Sequence, residues 1–134
     1  MDRALVVLLV EDSDSDRRLT TDVLEETGLS IVLCCVGSGE EALDFLNRRG
    51  EHAAAPHPDL VLLDLGLPGM RGQDVLAEIK ADAKLRSLPV VVLTSTDDDR
   101  TLIETLGLGA HEFAAKPLDH DQLMAVIEYV TEFA

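Results

Sequence analysis

The chain has 134 residues, 46% of them hydrophobic and only 3% aromatic, with no tryptophan. That composition suits one compact domain spanning 1–134, with a core of Val, Leu, Ile and Ala, and leaves no length for a second domain. Asp and Glu outnumber Lys and Arg by 26 to 11, for a net charge of -15, so repulsion excludes nucleic acid and anionic membrane surfaces as partners.

No stretch reaches the roughly 18 to 20 apolar residues that span a bilayer. The start, MDRALVVLLVED, has too short an apolar run, too soon followed by acids, for a signal peptide. A cytoplasmic location is expected. Short β-like runs alternate with stretches of helical period, which predicts an α/β fold built of βα units.

The first run, LVVLLV at 5 to 10, stops at Glu11 and Asp12. A helix over 14 to 27 follows, with Leu19, Val23 and Leu24 as its sheet-facing stripe. The second strand, 31 to 36, carries adjacent Cys34 and Cys35, expected as reduced thiols packed in the core. The next helix, 38 to 49, opens on Ser38 and Glu41, which have the N-cap and N3 chemistry of a helix start. Asn47 to Pro58, NRRGEHAAAPHP, is a polar surface loop whose His52 and His57 have no partner ligands near them in sequence and are expected to be solvated.

The third strand, 59 to 64, ends on Asp64 between LVLL and LGLP, a costly place for an acid unless the run stops at a polar cleft. A helix over 71 to 83 turns Val75, Leu76 and Ile79 inward, and the fourth strand, 89 to 94, ends on Thr94. The predicted helix over 98 to 108 begins beside Asp97, Asp98 and Asp99, acids that suit the positive end of a helix dipole. A short strand, 112 to 115, holds Phe113 and leads to Lys116. The last helix, 119 to 132, is capped by Asp119 with Gln122 and buries Leu123, Ile127 and Val130. Tyr129 and Phe133 lie one turn apart near its end, a spacing that fits ordinary packing as well as a homodimer seam.

Right-handed crossovers in such a chain predict a doubly wound, flavodoxin-like (βα)5 fold: five parallel strands in the order 2-1-3-4-5, with helices on both faces. Glu11, Asp12, Asp64, Thr94 and Lys116 then share the carboxyl edge, where open α/β sheets bind ligands. Clustered carboxylates repel unless a cation offsets them, and oxygen ligation with room for waters and a phosphoryl oxygen is the habit of Mg²⁺. The Lys116 ammonium, the Thr94 hydroxyl and the backbone amides after Asp64 suit a phosphoryl group, whose transfer needs mainly positioning and charge stabilisation. Asp64, between them, is the expected nucleophile or phosphoacceptor.

Four motifs, VEDSDSDRR (Val10 to Arg18), LVLLDLGLPGMRG (Leu60 to Gly72), PVVVLTS (Pro89 to Ser95) and GAHEFAAKP (Gly109 to Pro117), give the chain a resemblance over essentially its whole length. It resembles a response-regulator receiver domain of two-component signalling. The resemblance implies that Asp64 accepts a phosphoryl group from a kinase phosphohistidine, with Mg²⁺ held by Asp12, Asp64 and the Gly66 carbonyl and with Glu11 on a metal-bound water. It implies that Thr94 and Lys116 contact phosphoryl oxygens, that Phe113 changes rotamer as Thr94 shifts, and that Lys116-Pro117 is a cis peptide. The switch would be read on the face of the fourth helix, fifth strand and fifth helix.

A protein of this kind is a signalling module rather than an enzyme, and with no effector domain after the fifth helix its output would pass to another protein. Its partners would be a sensor histidine kinase, which the loop after the second helix and LLDLGLP liken to a phytochrome kinase, and a downstream effector or phosphotransfer protein. A relay role or a phosphorylation-independent scaffold are the alternatives, though none of the five key residues is missing. Gly66 argues against a haloacid-dehalogenase-like phosphatase, which has an acid two residues after its nucleophile. Glu11 and Asp12 argue against a flavodoxin-like flavin site, whose phosphate they would repel. Ser95, Thr96 and Arg71 depart from, or vary within, the family pattern around the site.

Overall fold

Strands β1 (Leu5–Val10), β2 (Ile31–Val36), β3 (Leu60–Asp64), β4 (Val90–Thr94) and β5 (Phe113–Ala115) form one parallel sheet in the order β2-β1-β3-β4-β5, as predicted. The structure is a computed structural model that describes residues 4–67, 69–94, 107, 113–116 and 118–133, with residues 132 and 133 described by their backbone alone. Its described helices are α1 (Asp14–Glu26), α2 (Gly39–Leu46), α3 (Gly72–Ala81) and a C-terminal helix, His120–Phe133. The predicted helix over 98 to 108, the acids Asp97 to Asp99, and Ser95, Thr96 and Pro117 lie outside the described residues.

Side chains alternate across a strand, and here both faces are covered. In β1, Leu8 and Val10 point to one side and Val7 and Leu9 to the other, all without exposure; in β3, Val61 and Leu63 oppose Leu60 and Leu62 in the same way. The first set packs with Ala42, Phe45 and Leu46 of α2 and Val75, Leu76 and Ile79 of α3. The second packs with Leu24 of α1 and with Leu123, Val126, Ile127 and Val130 of the C-terminal helix. Each buried Val or Leu contributes about 1.5–3 kcal/mol, so a polar side chain is tolerated only where a strand runs out.

Several expectations need correction. Leu19 is half-exposed, and Thr20 is buried with Leu24 instead, because helical rotation sets Leu19 about 140° from Leu24. Cys34 is half-buried but Cys35 is exposed, since β2 is an edge strand with its outer flank uncovered. Helix α2 stops at Leu46 rather than running to 49: Arg48 adopts a left-handed φ of 54°, and the Arg49 N–H bonds the Asp44 carbonyl at 2.9 Å in a Schellman-type end. His52 is not a free loop histidine. It sits in a single 3₁₀ turn, Gly50–His52, with Nε2 3.0 Å from Glu41 Oε2 and its ring 5.3 Å from that of Phe45.

The other caps agree with expectation. Ser38 Oγ accepts from the Glu41 N–H at 3.1 Å and Asp119 Oδ1 from the Gln122 N–H at 2.7 Å. The Glu41 carboxylate reaches back to the Gly37 N–H, one residue before the cap, at 3.2 Å.

Gly72 positions the loop that follows Asp64. It is buried at the start of α3, and a Cβ there would lie 2.5 Å from the Asp64 carbonyl oxygen and 2.8 Å from Leu65 Cα, both backbone atoms that cannot swing aside. Gly72→Ala is therefore expected to lower the unfolding free energy by about 1–3 kcal/mol, measured by urea denaturation. An unchanged midpoint would mean that α3 and the β3 end are not in this close contact.

Candidate functional site

The site is assembled at the carboxyl ends of β1, β3, β4 and β5. Glu11 directly follows β1, where its N–H extends the ladder to the Val36 carbonyl at 3.0 Å, and only 1% of the residue is exposed. The Ser13 N–H donates to Glu11 Oε1 at 3.1 Å and Arg17 Nε to the Glu11 carbonyl at 2.6 Å, while Ser13 Oγ caps α1 by accepting from the Asp16 N–H at 3.3 Å. The chain thereby turns sharply from strand to helix, leaving Asp12 exposed at the mouth of the cleft.

Asp64 is the last residue of β3 and is buried, with its Oδ1 accepting from the Gly66 N–H at 2.9 Å. Thr94 ends β4, also buried, and its carbonyl accepts from the Lys116 N–H at 2.7 Å, which fixes the backbone of Lys116 beside β4.

The Lys116 Nζ lies 2.9 Å from Asp16 Oδ2, 3.0 Å from Glu11 Oε2 and 3.3 Å from Asp64 Oδ2. Burial works against its charge, but the bonds to Asp16 and Glu11 and the nearby carboxylate charges outweigh it, and the ammonium holds its proton more tightly than an ordinary lysine. Glu11 is pushed above the usual carboxylate range, chiefly by burial and further by the Asp64 charge; the hydrogen bonds from Lys116 and the Ser13 amide pull the other way without overcoming it.

One carboxylate oxygen each from Glu11, Asp12 and Asp64 can be chosen so that all lie within 4.8 Å of one another. Oxygens across an octahedral Mg²⁺ are about 4 Å apart, so this all-oxygen set fits such an ion with small side-chain adjustment, and exposed Asp12 leaves the approach open to water. Glu11, Asp12, Asp64 and Lys116 thus converge as expected, with Thr94 ending the adjoining strand. Phe113 is half-buried against the core on the α2–α3 side. Asp16 was missed: the sequence places it in the first turn of a capped helix, but nothing local marks its meeting with Lys116, 100 residues on.

The receiver-domain model of response regulators matches residues 7–128. Response regulator Rcp1 of Synechocystis sp. is 37% identical over 128 residues, 96% of this chain and 87% of that protein. The structure of Rcp1 in its Mn²⁺-bound form superposes with a TM-score of 0.75 at 36% identity, covering 96% of this chain and 93% of that one. The bacteriophytochrome response regulator AtBRR gives a TM-score of 0.88 at 36% identity, covering 99% and 96%. The phosphorylated cyanobacterial phytochrome response regulator RcpA gives 0.78 at 35%, covering 98% and 94%.

The raised Glu11 has a consequence for stability. A carboxyl raised in the folded state contributes stability that is complete below its ordinary value of 4.5 and is lost as pH climbs through the raised value. Metal-free protein should therefore lose stability relative to Glu11→Gln as pH rises above 4.5 through the raised value, and Mg²⁺ should restore it by binding the deprotonated cluster. Parallel urea titrations of the two chains test this; a stability difference that ignores pH and Mg²⁺ would rule out the buried acid as its source.

Proposed function

The chain belongs to the response regulator receiver domain family, and from that premise we propose that it is a two-component response regulator that accepts a phosphoryl group on Asp64 from a histidine kinase. One juxtaposition carries this reading: the Asp64 carboxylate lies 3.3 Å from the Lys116 ammonium and in the same cluster as Glu11 and Asp12. It is a signalling protein rather than a classical enzyme.

An Asp64 oxygen forms the new O–P bond as the P–N bond to the kinase imidazole breaks, and the ring, protonated on its other nitrogen, leaves as neutral imidazole. Asp12, Asp64 and the Gly66 carbonyl would hold Mg²⁺, with Glu11 on a metal-bound water; the ion supplies charge neutralisation for the carboxylates and the phosphoryl oxygens. Lys116, 3.3 Å from Asp64 Oδ2, would stabilise the developing charge, and the Gly66 amide orients the acceptor through Oδ1. The divalent ion named for Rcp1 and the phosphorylated state named for RcpA support the choice of ion and of modification.

Thr94 and Lys116 draw towards the added group, and Phe113 answers the shift of Thr94. The Lys116 N–H on the Thr94 carbonyl makes the ends of β4 and β5 move together. The signal then leaves through the face that includes β5 and the C-terminal helix, to a partner protein. Because AtBRR and RcpA are phytochrome response regulators, a phytochrome-type histidine kinase is the partner of choice.

Incubation with acetyl phosphate should label the protein in a Mg²⁺-dependent way, and both EDTA and Asp64→Asn should abolish the label, as read by mass spectrometry or phosphate-affinity gels. Labelling that survives in Asp64→Asn would move the acceptor elsewhere.

A further inference from the structure

Lys116 has more partners than the reaction needs. An ammonium has three protons, and here Lys116 donates to Glu11 Oε2 at 3.0 Å and Asp16 Oδ2 at 2.9 Å, with the Asp64 carboxylate a third ion-pair partner at 3.3 Å. A phosphoryl oxygen that is to bond Lys116 must compete with these carboxylates for the ammonium.

The three are not equally replaceable. Glu11 has a side chain only 2% exposed, and stripping the ammonium from a buried carboxylate leaves an uncompensated charge in the interior. Asp64 is the acceptor, so its own charge passes into the phosphoryl group. Asp16 has a side chain 38% exposed, which water can solvate when the ammonium leaves. Its carboxylate has no part in capping α1, since the cap bond to Ser13 Oγ comes from the Asp16 backbone N–H.

We infer that Asp16 is a positioning residue that holds Lys116 back: its carboxylate competes with the phosphoryl group for the ammonium, restraining phosphorylation of Asp64 and shortening the life of the phosphorylated state. The inference rests on Asp64 being the acceptor. Asp16 acts through Lys116 and touches no reacting atom. It also ties α1 to the site, because each phosphorylation exchanges a contact of Lys116 with the first turn of that helix for one with the phosphoryl group.

The test uses the full chain, acetyl phosphate and Mg²⁺. Asp16→Ala should phosphorylate about two- to fivefold faster than wild type and lose the label correspondingly more slowly, the size expected of a partly exposed ion pair. Asp16→Asn, which still accepts one bond from Lys116 but lacks the charge, should fall between. Unfolding midpoints measured alongside identify any variant whose fold is damaged, and Asp16→Asn keeps the side-chain volume and the helix cap.

The readout that a structural or purely electrostatic role would not produce is the double-variant cycle: in a Lys116→Ala background, Asp16→Ala should change neither rate. A rate that is unchanged or slower in both Asp16 variants, or an equal acceleration without Lys116, overturns the inference while leaving Asp64 as acceptor. A wild-type chain that takes no label, or an Asp64→Asn chain that does, strikes the acceptor assignment and removes the inference with it.

Discussion

A single ammonium, that of Lys116, is shared among carboxylates from three other parts of the chain: Glu11 after β1, Asp16 in α1 and Asp64 at the end of β3. The longest of these links spans 105 residues. Each partner depends on the others. Glu11 is almost wholly buried, and without the ammonium its charge would stand uncompensated in the interior; Lys116 in turn keeps its charge despite burial because of the acids around it. Any event that changes the charge on Asp64 must therefore be felt by β5, through Lys116, and by α1, through Asp16.

The parallel sheet makes this meeting possible. Covering both faces forces the strand interiors to be apolar, so polar side chains can enter only at the ends, and parallel strands place all those ends on one edge. Single backbone bonds just beyond the strands set the finer alignment: the Glu11 N–H to the Val36 carbonyl, the Leu65 N–H to the Leu93 carbonyl and the Lys116 N–H to the Thr94 carbonyl. Gly72 then lets α3 begin against the backbone of Asp64 and Leu65, which holds the loop after Asp64 close to the sheet.

The strands and their order were legible because two-sided burial leaves unbroken apolar runs such as LVVLLV and DLVLL, and the residues that stop those runs are the ones that converge. Helix ends and faces were less legible. No turn glycine marks the end of α2, where Arg48 takes the left-handed conformation, and a hydrophobic residue at nearly the right spacing, Leu19, lies on the outer side of α1. His52 and Cys35 were misjudged for opposite reasons. A loop that folds back onto α2 gives His52 partners, whereas the outer flank of an edge strand leaves Cys35 uncovered.

By itself the sequence determined the order of the described elements, the sheet topology and the identity of the acids, hydroxyl and amine at the strand ends, because hydrophobic period and burial cost are local properties written residue by residue. Only the tertiary structure decided how the amine is shared. Distances among residues some 50 to 105 positions apart depend on how strands align and where α1 starts, and so the place of Asp16 beside Lys116 could not be read from DSDSD alone.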